Sequence, residues 1–292
     1  MTEFIQIVLS GLATGSIYAL AAIGFTLLWQ ASQTINFAQG EFVMLPAFFA
    51  LVGMHWLGLP FVVSLAFAML VSLLVLGLAF KKLVIEPMLP HGSLPIVMAT
   101  IALGLLMKES VKVFYSAEAQ PFPSLFSDAP INVMGAVISA QDIANLLISL
   151  LVVAALQLFL NRTRTGRAMQ ATAQNPGVAQ ILGVNVQRMV LYTFLINAAL
   201  AAVASFLISP IYLAKFSNGE SIGLIAFIAA IVGGFNQIRG ALVGGLLIGV
   251  LDNLAAAYGS AEYRAAIPLV LLIVIILVRP QGLLGTAEGR TV

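Results

Sequence analysis

Long apolar runs alternate with short polar breaks along the whole chain. The runs are too long and too evenly apolar to be single faces of soluble helices. Nine of them, at 4–29, 42–56, 59–80, 94–114, 143–160, 189–213, 221–235, 241–258 and 265–278, carry few charges. A helix needs about 20 mostly apolar residues to cross the core of a bilayer. The pattern therefore predicts an all-α polytopic membrane protein of about eight to nine transmembrane helices. The second, seventh and ninth runs are short, so eight spans with a re-entrant piece stand as the alternative to nine. The expected organisation is one transmembrane domain over 1–292, interrupted by polar loops at about 115–142 and about 161–188.

Composition sharpens this reading. Of the 292 residues, 61% are hydrophobic and only 8% charged, where a soluble domain carries about 25% charged residues. The distribution of the cations sets an orientation. Under the nine-span count Lys81, Lys82, Arg162, Arg164, Arg167, Arg188, Arg239, Arg279 and Arg290 fall on one side, and Lys108, Lys112, Lys215 and Arg264 on the other. Short loops rich in Lys and Arg stay in the cytoplasm, so the C-terminus is expected inside and the N-terminus outside. Glu3, Glu109, Glu118, Asp128, Asp142, Glu220 and Glu262 then lie near the outer face. The net charge of +2 reflects this loop bias and does not point to nucleic acid. With no cysteine in the chain, disulfides and thiolate chemistry are excluded. The opening M-T-E-F-I-Q lacks the basic stretch of a cleavable signal, and the first helix is expected to be retained.

The outer loop contains Pro121, Pro123 and Pro130, which oppose helix, and the stretch I-N-V-M-G-A-V-I-S, which suits a small hairpin about Gly135. It is either a structured cap or a landing surface for an extracytoplasmic partner. Gly11 and Gly15, Gly240 and Gly244, and Gly245 and Gly249 are each four apart. That spacing lets helix backbones approach closely, within the chain or between subunits.

The polar insert Arg162 to Arg188 has its own grammar. Thr163 or Thr165 can cap a helix from about Gly166 to Gln174. Asn175 is a good N-cap for a second helix, with Pro176 at its first position, where the missing N–H costs nothing. Gly183 supplies a stop. The expected result is a helix, a sharp turn and a helix of about two turns, too short to be stable alone in water. It is either an ordinary structured loop or a docking element for a soluble partner.

The segment T-G-R-A-M-Q-A-T-A-Q-N-P-G-V-A-Q-I-L-G-V-N resembles the cytoplasmic coupling loop of ABC-importer permeases of the branched-chain amino acid class. Y-A-L-A-A-I-G-F-T-L-L-W, I-N-F-A-Q-G-E-F, G-G-F-N-Q-I-R-G-A-L-V-G-G and the ending V-R-P-Q-G-L-L-G resemble further signatures of the same family. The chain is similar over essentially its whole length to a LivH-type permease subunit. The resemblance implies a pathway-forming permease in the bacterial inner membrane. It implies a second related permease as a heterodimer partner, two cytoplasmic ABC ATPases and an extracytoplasmic substrate-binding protein. No cofactor belongs to this chain, and ATP is used by the partner subunits. By match to the family motif, Gly166, Arg167, Ala171, Asn175, Pro176, Ala179 and Gly183 form the element that couples to the ATPase. Gln39 stands where relatives often carry His, and Pro46 where they often carry Gly.

Polar side chains inside the apolar runs mark a candidate translocation pathway: Asn36, Gln39, Glu41, Asn197, Asp252 and Asn253. Such groups are costly in a bilayer and face a cavity or a partner. Each is read either as pathway lining or as one half of a buried structural hydrogen bond. Arg279 is expected to snorkel to the headgroups and Pro280 to end the last helix.

The chain contains no G-x-x-x-x-G-K-[ST], so it has no P-loop of its own. His55 and His91 lie in separate turns without an acidic partner, and neither a metal site nor an enzyme is expected. The cargo implied by the resemblance is a branched-chain or other apolar amino acid. Urea or short amides are the alternative within the family. A stand-alone ion-coupled transporter or channel is the alternative outside it.

Overall fold

The computed structural model describes residues 2–126, 130–133, 136–259, 264 and 266–285. Asp128, Gly135, Glu262 and Arg290, used in the sequence reading, lie outside these residues, as does Ala265 at the start of the ninth run.

Each of the nine apolar runs is a helix: α1 (Thr2–Ser32), α2 (Gln39–His55), α3 (Phe61–His91), α4 (Ser93–Phe114), α5 (Ala140–Arg162), α8 (Val186–Tyr212), α9 (Asn218–Gly233), α10 (Ile238–Tyr258) and α11 (Ala266–Val278). The insert supplies α6 (Arg164–Gln174) and α7 (Pro176–Ile181). Among the described residues, six helices are long and apolar enough to cross a membrane. α2, α9 and α11, with 17, 16 and 13 residues, are the three short ones, as the pattern predicted. The chain is an all-α polytopic membrane protein, and the loop at about 115–142 carries the small hairpin expected. There β1 (Pro130–Val133) pairs antiparallel with β2 (Ala136–Ser139), Ile131 opposite Ile138.

α3 departs from the sequence reading. The helix continues to His91, where the apolar run ended at residue 80, and it is widened into π-helical turns at Leu73–Ala79 and Lys81–Ile85. Lys81 is buried inside this helix, its ammonium 2.5 Å from Glu86. The ion pair offsets the cost of the buried charge, so the lysine does not end the helix as a loop residue would.

The chain divides into two compact units, one formed by Met1–Thr26, Ser124–Ser149 and Leu224–Val292, the other by Leu27–Pro123 and Leu150–Gly223. In the first, α1 and α10 meet through small residues. A β-carbon on Gly11 would lie 2.7 Å from Val250 Cα, and one on Gly15 would lie 2.8 Å from the Gly245 carbonyl oxygen. Gly240 and Gly244 instead face α9, at Gly233 and Ala229. All three glycine pairs are therefore used for packing within the chain, where lipid supplies no hydrophobic drive between helices.

The segment after α11 stays in the same unit. Pro280 follows the end of that helix, and the backbone N–H groups of Leu283 and Leu284 donate to the carbonyls of Val232 and Gly233 at 2.8 and 2.9 Å. The R-P-Q-G-L-L-G ending thus satisfies carbonyls that the C-terminus of α9 leaves free. Arg279 is exposed.

In the second unit, α2 packs against α3 and α8. Phe42, Phe80 and Phe194 form a chain of rings, the first pair edge-on at 4.9 Å. Pro46 stands inside α2 and removes one N–H from its ladder. The next amide, that of Ala47, donates to the hydroxyl of the fully buried Ser205 on α8 at 3.0 Å. A hydroxyl from a neighbouring helix thus serves backbone next to a proline in an apolar setting. Ser205→Ala is expected to cost about 1 kcal/mol, the net worth of one such hydrogen bond. Thermal unfolding in detergent would show it as a lowered midpoint; an unchanged midpoint would mean the contact contributes nothing.

Candidate coupling element and intramembrane polar residues

The insert lies in the second unit and folds as its local signals dictate. Of the two threonines considered, Thr163 is the cap: its Oγ1 accepts from Gly166 N–H at 2.9 Å, so the helix begins at Arg164, two residues before the expected start. Thr163 Oγ1 also donates to the Phe159 carbonyl at the end of α5 (2.7 Å). One hydroxyl therefore ties the last turn of the apolar helix to the first turn of the polar one. Asn175 ends α6 in an extended conformation (φ −155°, ψ 101°) and caps α7, its Oδ1 accepting from Val178 N–H at 3.0 Å; Pro176 takes the first position. Gly183 turns the chain with φ +84°, and the Gly183 and Val184 amides close on the Gln180 and Ala179 carbonyls at 3.0 Å each. Asn185, which the sequence reading did not single out, then caps α8 through Arg188 N–H at 3.0 Å.

Each turn of this elbow is fixed by a side-chain cap or a backbone dihedral angle within three residues of it. Its inner face is formed by Gly166, Met169, Thr172 and Ala179, all buried. Gly166 has a role beyond the motif. A β-carbon there would collide with the Phe159 carbonyl and lie 2.5 Å from Leu160 Cα, so glycine is what lets α6 fold back against the end of α5. Arg167, Asn175, Pro176 and Gly183 are exposed, and Ala171 is half-buried. The outer face is apolar where solvent-facing residues are normally polar: Val178 is 50%, Ile181 86% and Leu182 75% exposed. The sequence signal for this was available, since three aliphatic residues in a short polar insert cannot all be covered by one two-turn helix.

The six intramembrane polar residues separate into two groups. In the second unit, Gln39 and Asn197 are both fully buried and face each other across α2 and α8. Each amide donates to the other's carbonyl oxygen at 2.8 Å, which makes them a structural clasp. Asn36 and Glu41, on either side of Gln39, are buried as well. Asn36 Oδ1 accepts from Ala38 N–H at 3.1 Å, while Asn36 Nδ2 and Glu41 Oε2 have no hydrogen-bond partner.

In the first unit, Asp252 is buried in α10 and held by Arg264 in a two-pronged pair, Nε to Oδ1 at 2.7 Å and the terminal nitrogen to Oδ2 at 2.6 Å. Fork geometry of this kind is among the strongest charge-assisted pairings. Arg264 had been counted only as an outer-loop cation. Asn253 Nδ2 donates to the Gly249 carbonyl at 3.0 Å, back along its own helix. The histidines are occupied elsewhere: His55 Nδ1 pairs with the Tyr115 hydroxyl at 2.8 Å, and His91 Nδ1 with the Pro87 carbonyl at 3.1 Å.

Comparison with known proteins shows the family. The profile of the family described as "Branched-chain amino acid transport system / permease component" matches residues 7–276. The chain is 32% identical to the high-affinity branched-chain amino acid transport system permease protein BraD of Pseudomonas aeruginosa, over 99% of this chain and 98% of that protein. It is also 32% identical to the corresponding permease protein LivH of Escherichia coli K12, again over 99% and 98%. The probable LivH of Methanocaldococcus jannaschii is 28% identical over 92% of this chain and 89% of its own length. The chain belongs to the family of permease components of branched-chain amino acid transport systems.

Proposed function

We propose that this chain is the pathway-forming permease subunit of an ATP-binding-cassette importer for branched-chain or other apolar amino acids. It works with a second related permease, two cytoplasmic ATPases that use the ATP, and an extracytoplasmic binding protein that supplies affinity. It sits in a bacterial inner membrane as one permease domain. The insert at about 161–188 and the C-terminus are cytoplasmic, and the loop at about 115–142 faces outward. The chain itself hydrolyses nothing.

One observation carries this reading: the elbow of α6 and α7 is rigidly capped, yet it presents Val178, Ile181 and Leu182 outward. Exposed aliphatic groups on a small fixed knob suit burial in a cleft of a soluble partner. A rigid knob joined directly to α5 and α8 can transmit closure of that partner to the membrane helices. Gly166, Arg167, Ala171, Asn175, Pro176, Ala179 and Gly183 build and aim it. A stand-alone ion-coupled mechanism would draw on Asp252, but that carboxylate is already matched by Arg264, which favours the ATP-driven reading.

Mild-detergent purification of the tagged chain from its native membrane tests this. The unaltered chain is expected to bring down a second polytopic permease and P-loop ATPases. Ile181→Asp with Leu182→Asp is expected to keep the permease and lose the ATPases. An unaltered chain that purifies alone, or a double variant that retains its ATPases, would overturn the assignment.

A further inference from the structure

The entrance to α2 holds two buried polar atoms that the fold leaves unanswered. Asn36 and Glu41 are each more than nine-tenths buried. The Asn36 amide has a fixed orientation, because Oδ1 accepts from Ala38 N–H, so the unpartnered atom is the donor Nδ2. The unpartnered atom of Glu41 is an acceptor, Oε2. Buried polar groups are nearly always hydrogen-bonded, and an orphaned one costs about 1–3 kcal/mol. Two orphans of opposite hydrogen-bonding character, five residues apart in the chain on either side of the clasped Gln39, suit a ligand with both an acceptor and a donor.

Two helix N-termini meet at Glu41. Glu41 stands in the first turn of α2. A β-carbon on Gly219, in the first turn of α9, would lie 2.9 Å from its Oε1 and closer still to Oε2. Helix N-termini attract negative charge, and here two of them meet one carboxylate. Lys108, one turn along α4 from Gly104, is held by Glu220 at 2.7 Å. The depth is that of the membrane interior. Glu41 Cγ would be 3.6 Å from a β-carbon on Gly104, which lies near the midpoint of the membrane-length helix α4.

We infer that Asn36 and Glu41 recognise the zwitterionic head group of an amino acid in transit, Glu41 taking the ammonium group and Asn36 Nδ2 the carboxylate. A bare metal cation fits less well, since it needs several oxygen ligands, and Asn36 offers the site a donor. This inference rests on the reading of the chain as an amino-acid permease and names the part of the cargo the permease reads. Recognition of the head group alone leaves the apolar side chain of the cargo free to vary.

The test uses the whole importer in liposomes, with leucine delivered by its binding protein, and measures ATP-driven uptake and ATP hydrolysis together. Glu41→Gln keeps the shape and removes the charge; Glu41→Asp keeps the charge and shortens the reach. Loss of a charge-assisted hydrogen bond is worth about 10- to 100-fold. Glu41→Gln is therefore expected to lower uptake by about that factor, while loaded binding protein still stimulates hydrolysis, and Glu41→Asp is expected to retain more uptake than Glu41→Gln. The opposite order, with Gln the better replacement, would show that Glu41 fills space beside Gly219 and would overturn the inference. So would unchanged uptake in both variants, or joint loss of uptake and assembly. If the unaltered complex hydrolyses ATP but takes up no amino acid, the import reading itself falls and this inference with it.

Discussion

Gly249→Leu is expected to remove most of the folded protein from the membrane. A β-carbon at this position of α10 would overlap the Gly15 backbone and lie 2.5 Å from the Gly11 carbonyl oxygen. The obstruction is main chain of α1, not the end of a flexible side chain, so the site cannot adjust by changing a rotamer. Small-to-large changes in well-packed interiors cost about 1–3 kcal/mol and sometimes more. A backbone-to-backbone contact belongs at the top of that range. Folded proteins hold only about 5–15 kcal/mol in total, so leucine here consumes a large share of it. Fluorescence-detected size exclusion and thermal unfolding in detergent would report the loss. Val243→Leu, on an exposed part of the same helix, is expected to behave as the unaltered chain. A Gly249→Leu protein with an unchanged midpoint would mean that α1 and α10 do not meet at these glycines.

Gly166→Leu is expected to separate function from folding. The new side chain would push α6 off the end of α5, because its β-carbon collides with the Phe159 carbonyl and Leu160 Cα. The elbow is a short insert between α5 and α8, so the thermal midpoint is expected to stay close to that of the unaltered chain. Transmission of force through the elbow should fail. Coupling between distant sites is typically worth about 1–3 kcal/mol, or about 5- to 150-fold, and uptake should fall within that range. Measuring ATP hydrolysis beside uptake in reconstituted vesicles separates the cases. Hydrolysis that continues without uptake indicates a displaced knob, and normal uptake would show that the position of α6 against α5 is not part of the coupling path.

The elbow was legible in the sequence because every signal that builds it acts over a few residues. Thr163, Asn175, Pro176 and Gly183 each fix a turn through a hydrogen bond or a dihedral angle within three positions of themselves. The sequence reading missed the local cap Asn185, the contact of Gly166 with α5, and that Val178, Ile181 and Leu182 remain uncovered. The end of α3 was misplaced for a related reason. Lys81 looks like a boundary in one dimension, and only its pairing with Glu86 on the same helix makes it interior.

The sequence by itself determined the class, the nine helical segments, the three short ones among them and the capped elbow, because apolar length and local capping are properties of contiguous residues. Tertiary structure decided which helix faces meet. These helices are apolar nearly all round, so no hydrophobic stripe marks the inward side, and the choice of face falls to sparse small and polar residues whose partners lie far along the chain. Gln39 finds Asn197 at a separation of 158 residues, and Gly15 finds Gly245. Asp252 gains Arg264 from the segment beyond its helix. Among the six candidate pathway residues, Asn36 and Glu41 are distinguished only by what the folded chain fails to bring to them, and no local pattern could have shown that.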